Sequence, residues 1–294
     1  MHWHRERQDN FASANDKRAQ GFVLRAYVRA RTLRRPPAPT IHPRISPSLL
    51  LPPAMPDTEP RLNLLIGMLP SAAYERIEAR LEPVALRAGE VLFEPDAPID
   101  AVYFLADPIV SFDHVVSTAA DRTRLMPCVA MTGGEGVVGV ELFLRGQIAI
   151  SRATVRFGGA ALRLAEDALR AEFARGTALQ RLLLGAADAL VSQVSNNSVC
   201  ERLHSPTQRL IRWLLLVDDR ALRRDLMLTQ ETLAQVMGVR RETVSAAAAS
   251  LQRAGLISYS RGNLMLVDRA GLEARSCACY RAIKARYDAM LAAD

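Results

Sequence analysis

Four side chains close together near the C-terminal end, Arg240, Arg241, Glu242 and Ser245, could make contacts to the edges of DNA bases. An arginine fork pairs two-pronged with guanine, and a glutamate accepts from the N4 amino group of cytosine. This chemistry requires one rigid element that enters the major groove by its N-terminal end. The flanking sequence supplies such an element. Thr229 can cap a helix, and Glu231 falls in its first turn, where the helix dipole favours an acid. Leu233 and Met237 face inward, Ala234 is small where two helices cross, and Gly238 stands where a left-handed turn residue ends the first helix. Val239 plugs the turn. Val244, Ala247, Ala248 and Leu251 then give a second helix its buried face. These offsets predict a helix-turn-helix.

Leu256 to Val267 reads as two strands around a Gly262-Asn263 turn, so a β-hairpin follows the second helix directly. Helix-turn-helix plus hairpin is a winged helix. In that frame Thr243, Thr229 and Gln230 are placed for phosphate contacts, and Arg261 sits at the wing tip, within reach of backbone or minor groove. A winged helix that docks a protein or serves an effector-binding module is the alternative reading.

Net charge adds nothing to this. The formal charge is +7, but residues 1–55 hold ten Lys/Arg and three acids, while the remainder holds 28 of each sign. The basic balance belongs to the leader. Nine of the sixteen prolines lie between Pro36 and Pro60, which excludes a regular helix or central strand there. Residues 1–60 are expected to be a disordered, basic, Pro-rich leader, and Met55 to begin a segment suited to be an alternative start.

Upstream of the helix-turn-helix the periodicity changes twice. Leu62 to Leu81 suits short helices broken at Pro70, with Ser71 as the cap of the second and Tyr74 and Ile77 inward. Short apolar runs at 84–86, 91–93, 102–105, 109–112, 125–131, 149–157 and 160–164, separated by turn residues, predict a small all-β barrel or roll. Ala168 to Arg175 is a short helix, and Thr177 to Leu203 a long one. Its stripe of Leu179, Leu182, Leu183, Ala186, Leu190, Val194 and Val199 suits packing on a second copy, with packing against its own barrel as the alternative. Ser205-Pro206 opens a further helix ending at Asp218-Asp219. The expected divisions are a sensor domain at 61–175, a connecting and dimerisation helix at 176–204, and a winged-helix domain at 205–294.

The four cysteines, Cys128, Cys200, Cys277 and Cys279, lack metal-site spacing and read as free buried thiols. No apolar run approaches the roughly 20 residues of a membrane span. No nucleophile–base set, metal site or phosphate loop emerges, so no enzyme is expected.

A β-roll, a long connecting helix and a C-terminal winged helix in this order resemble the Crp/Fnr regulators over about residues 60–294. Gly238 to Ser245 carries the most specific part. Its Arg-Glu-Thr-Val looks like the start of that family's recognition helix. The resemblance implies an α+β fold, in which a cyclic-nucleotide-binding-like β-roll precedes a dimerisation helix and a winged helix-turn-helix. It implies that Arg241 and Glu242 read a G·C pair and that Ser245 faces the bases. Ala246 stands where a further arginine is common, so the family's best-known operators are not implied. Nucleotide-binding members carry Gly-Glu-Leu and then Arg-Ser. Here Gly139 is followed by Val140, with Glu141 one place late, and the order is Ser151-Arg152. A one-place shift on a strand turns a side chain to the other face. Cyclic AMP is therefore not expected, and Gly139, Ser151 and Arg152 are candidate effector residues. The cysteine set for an iron–sulfur cluster is missing, no haem ligand is recognisable, and His114 reads as a surface residue. The cofactor stays unknown. The resemblance further implies a cytoplasmic homodimer on double-stranded DNA, in contact with RNA polymerase and no membrane.

Overall fold

The computed structural model describes residues 63–114, 126–144, 146–221, 226–260 and 262–292. The leader, Leu62, Leu125 and Arg261 lie outside them.

The described part opens with two short helices, α1 (Leu64–Gly67) and α2 (Ser71–Glu78). Asn63 is buried and ties the entry down. Its amide donates to the carbonyls of Leu105 at 2.8 Å and Gly136 at 2.9 Å, while its oxygen caps α1. Pro70, rather than Ser71, caps α2, because the Pro70 carbonyl takes the first helical bonds, from Ala73 and Tyr74. Tyr74 and Ile77 face the core as expected.

Eight strands follow: β1 (Leu81–Leu86), β2 (Val91–Phe93), β3 (Ala101–Leu105), β4 (Ile109–Asp113), β5 (Cys128–Thr132), β6 (Val137–Val138), β7 (Arg152–Phe157) and β8 (Gly159–Ala165). They form two antiparallel four-stranded sheets, ordered β1-β8-β3-β6 and β2-β7-β4-β5. Phe104, Leu105, Leu164, Val110 and Val155 fill the core between them. This is the expected roll. The short β6 was not expected, since Thr132 to Gly136 reads only as turn residues.

Helix α3 (Glu166–Phe173) and the 26-residue α4 (Ala178–Leu203) close the roll. On α4 the expected stripe divides. Leu179, Leu183 and Ala186 bury in the core of the roll itself, and only Val194 and Val199 stay exposed, together with Leu184, Val191 and Leu203. Period alone cannot say which of two adjacent faces meets the parent domain.

Glu172 of α3 is buried and ringed by cations. Arg76 reaches it at 2.6 Å and Arg175 at 3.2 Å, and Thr177 donates at 2.9 Å. The Arg76 hydrogen bond, then that of Thr177, holds the carboxyl below its ordinary value. A depressed carboxylate stabilises fully above its unfolded pKa of about 4.3, and that share is lost as pH falls through the folded value. Glu172→Gln is therefore expected to flatten the acid limb of a plot of unfolding midpoint against pH, from about pH 5 downward. An acid limb unchanged by the substitution would assign acid sensitivity to other groups.

The remaining elements are α5 (Pro206–Asp218), β9 (Leu226–Met227), α6 (Gln230–Met237), α7 (Arg241–Arg253), β10 (Ile257–Ser260), β11 (Asn263–Leu266), α8 (Arg269–Arg275) and α9 (Ala278–Leu291). Ser205 and Gln208 form a capping box on α5, with Pro206 in the first turn. The wing is a three-stranded sheet ordered β10-β11-β9, one strand more than the hairpin expected. Ser260 pairs with Asn263, so Asn263 belongs to the strand and not to the turn. Helix α9 packs on α4, where Arg286 forms an ion pair with Asp188. Residues 268–294 carried no sequence prediction at the level of elements. Among the described residues no helix is long and apolar enough to cross a membrane.

Candidate nucleic-acid interface

The local sequence builds the reading head from two helices and a tight corner. Thr229 caps α6, its hydroxyl accepting from the Thr232 N–H at 3.0 Å. Leu233, Ala234, Val236 and Met237 bury one face of α6. Gly238 then adopts φ 61°, a conformation that costs a side chain about 1–2 kcal/mol and glycine almost nothing. The Val239 N–H closes back on the Ala234 carbonyl at 3.1 Å, which ends α6 and sets the angle of α7. Val244, Ala247, Ala248 and Leu251 anchor α7 in the same core as Trp213, Leu214 and Leu264. Alanines at the crossing leave room for the helices to approach.

This anchoring leaves one end of α7 free. Arg240, its N-terminal flanking residue, and Arg241 and Glu242, its first two residues, are exposed. Thr243 and Ser245 are half-buried. The Ser245 hydroxyl donates to the Gln230 side chain at 2.7 Å and also lies 3.0 Å from the Arg241 carbonyl. That link between the starts of α6 and α7 had no signal in the sequence beyond two polar residues on adjacent helices. Thr229, Gln230 and Arg241 line one cleft with Tyr259 and Gly262 of the wing, with a volume of about 370 Å³. The Tyr259 hydroxyl donates to the Leu228 carbonyl at 2.8 Å and holds the wing against the start of α6. Burial raises the Tyr259 pKa, so the phenol stays a donor. Of the eight residues expected to face DNA, seven are brought to this end of the domain, and Arg261 lies outside the described residues.

The effector candidates sit elsewhere, on the roll. Gly139 has φ 94° and precedes a short 3-10 turn whose Glu141 accepts from the Ile150 N–H at 3.3 Å. Ser151 is half-buried next to Arg152. The Arg152 guanidinium is held two-pronged by Glu94, at 2.9 and 2.8 Å. His114 is exposed. The cysteines are free thiols as expected, and three of them are buried, but their clustering was not expected. Cys128 is half-buried and separate, but Cys200, Cys277 and Cys279 share one buried cluster with His204 alongside. The only trace of this in the sequence is that Cys200 and His204 are four apart on a helix while Cys277 and Cys279 form Cys-Ala-Cys.

Comparison with known proteins bears on the head and on the fold. Residues 208–275 match the model of the Crp-like helix-turn-helix domain. No curated protein matches the sequence. Among solved structures, FixK2 from Bradyrhizobium japonicum superposes with a TM-score of 0.57 at 18% identity, covering 67% of this chain and 98% of its own. A regulator from Eubacterium rectale ascribed to the Crp/Fnr family gives 0.56 at 14% identity, covering 72% and 96%. A CRP-family transcriptional regulator from Thermus thermophilus gives 0.51 at 19%, covering 66% and 96%. Residues 208–275 thus resemble a Crp-like helix-turn-helix domain, and the chain has a fold similar to that of solved Crp/Fnr-family proteins.

Proposed function

We propose that this chain is a sequence-specific DNA-binding transcription regulator that works as a homodimer. The observation that carries this is the free N-terminal end of α7. Arg240, Arg241 and Glu242 are exposed there, and Arg241 lines one cleft with Thr229, Gln230 and the wing, in a stretch that matches a Crp-like helix-turn-helix domain. Arg241, Glu242 and Ser245 would read base edges. Thr229, Gln230 and Thr243 would contact phosphates, and Arg240 and Arg261 would add charge beside them.

The open side of α4 supports the dimer. Leu184, Val191, Val194, Val199 and Leu203 are exposed along it, and a stripe of large apolar residues facing water favours a second copy. Two recognition helices related by a two-fold axis would then demand half-sites about one helical turn apart, roughly 34–36 Å. In this reading residues 61–175 sense a signal, residues 176–204 couple it, and residues 205–294 read DNA in the cytoplasm, with RNA polymerase as a further partner and no catalysis. Any anionic effector at Gly139, Ser151 and Arg152 would have to replace Glu94 on the Arg152 guanidinium.

The test is retention of genomic DNA fragments by the purified full-length chain in the presence of excess nonspecific competitor. Enrichment of fragments sharing a near-palindromic motif is the expected result. Retention no better than that of random DNA would sink the proposal.

A further inference from the structure

Cys200 and His204 occupy the last turn and the C-terminal flanking position of α4, where a four-residue spacing puts both on one side of the helix. Cys277 flanks the N-terminus of α9, and Cys279 stands in its first turn. The two pairs are 77 residues apart in sequence, counted from Cys200 to Cys277. Folding brings their ligand atoms together. All four lie within 4.8 Å of one another, with Cys200 Sγ to Cys277 Sγ at 3.8 Å and Cys279 Sγ to His204 Nδ1 at 3.7 Å.

These distances discriminate between chemistries. A disulfide requires sulfurs about 2.05 Å apart. Zinc–sulfur bonds of about 2.3 Å at tetrahedral angles put neighbouring sulfurs about 3.8 Å apart, and a zinc–nitrogen bond of about 2.05 Å makes the mixed edge about 3.6 Å. A cage of this size has room for one ion and not for a cluster of several irons. Three thiols with one imidazole are a soft, tetrahedral-forming set of the kind that closes structural zinc sites.

The surroundings favour an ion over inert thiols. The three cysteines belong to neither hydrophobic core and form a buried group of their own. Three thiolates around a divalent ion leave one net negative charge. The buried Arg212 bonds Asn197 and lies 3.8 Å from Glu201, while its Nε has no hydrogen-bond partner among the described residues.

We infer that Cys200, His204, Cys277 and Cys279 bind one zinc ion, which staples the end of the long helix to the start of the C-terminal helix. The site lies at the corner where α4 turns into α5 through His204 and Ser205. It does not depend on what the helix-turn-helix binds.

The test uses the full-length chain, stripped of metal with a chelator under thiol reductant and then titrated with cobalt(II). Uptake of one ion per chain is expected, with the intense visible absorption of tetrahedral, sulfur-ligated cobalt, and displacement by one equivalent of zinc(II). His204→Ala and Cys277→Ser should each weaken binding by more than roughly tenfold, the lower bound set by losses of supporting residues around metal sites. Cys128→Ser, outside the cluster, should bind as the parent does. No uptake by the unsubstituted chain, or the weak spectrum of octahedral oxygen ligation, would overturn the site. So would a Cys200–Cys277 disulfide found by peptide mapping of chain purified without reductant and unable to take up cobalt after reduction.

Discussion

Alanine at both Arg241 and Glu242 is expected to abolish operator discrimination while leaving the protein folded. Each good bidentate contact to a base contributes about 1–3 kcal/mol of discrimination, so either single variant should lose roughly five- to 150-fold in preference for the operator over random DNA. The two should differ in kind. Arg241→Ala removes the fork on guanine and part of the positive charge that attracts any DNA. Glu242→Ala removes only an acceptor, so it should relax the choice of base while leaving nonspecific affinity the same or slightly higher. A double-mutant cycle should expose coupling, because the residues are adjacent and, on the proposed reading, would contact one base pair. Both side chains are exposed, and the anchors of α7 lie on its opposite face. The folding cost is then confined to the Glu242 interaction with the helix N-terminus, about 0.3–1 kcal/mol. Competition binding at several salt concentrations, with a thermal unfolding control, makes the measurement. Operator preference equal to that of the parent in the double variant would leave the head as a protein-docking module.

The head was legible because its constraints are local. Gly238 must turn left-handed, Ala234 and Ala247 must be small, and Val244 and Leu251 must repeat with the helix, all within about two dozen positions. The strands of the roll were legible for the same reason, as runs of alternating or apolar residues between turns. What escaped depends on distant partners. Leu179 and Leu183 belong to the same helical pattern as Val194, yet the first two meet the roll and the third meets water. The Gln230–Ser245 hydrogen bond, the Glu94 clamp on Arg152 and the four-residue cysteine–histidine cage each join segments whose spacing carries no period. Helix α9 was missed entirely, and it supplies half of that cage. Even the wing turn slipped by a residue, since Gly262-Asn263 satisfies turn chemistry as well as the observed pairing of Ser260 with Asn263 does.

Arg220→Ala is expected to be the most destabilising single substitution in the described part. Arg220 follows the end of α5, and its guanidinium is buried. The Nε donates to Glu135 at 2.6 Å, the Nη1 to the Leu216 carbonyl at 2.8 Å, and the plane covers the Tyr287 ring at 4.8 Å. Glu135 lies in the loop between β5 and β6, so one side chain joins the roll, α5 and α9. Gly133 makes room for it, because a Cβ there would stand 2.9 Å from the Arg220 Cβ. Removing the arginine strands a carboxylate that is itself only 8% exposed. Breaking such a pair from one side costs about 3–5 kcal/mol, a large part of the roughly 5–15 kcal/mol that holds a domain folded. The unfolding midpoint should fall by roughly 10 °C. The pair itself need not be strongly stabilising, since its desolvation offsets much of its attraction. Replacing both partners, as Glu135→Leu with Arg220→Met, should therefore recover most of the loss. Calorimetry on the two single variants and the double decides the matter. A double variant as unstable as Arg220→Ala would mean that the packing over Tyr287, and not the stranded charge, is what the arginine supplies. An Arg220→Ala midpoint equal to that of the parent would remove this contact from any account of how the roll is fixed to the reading head.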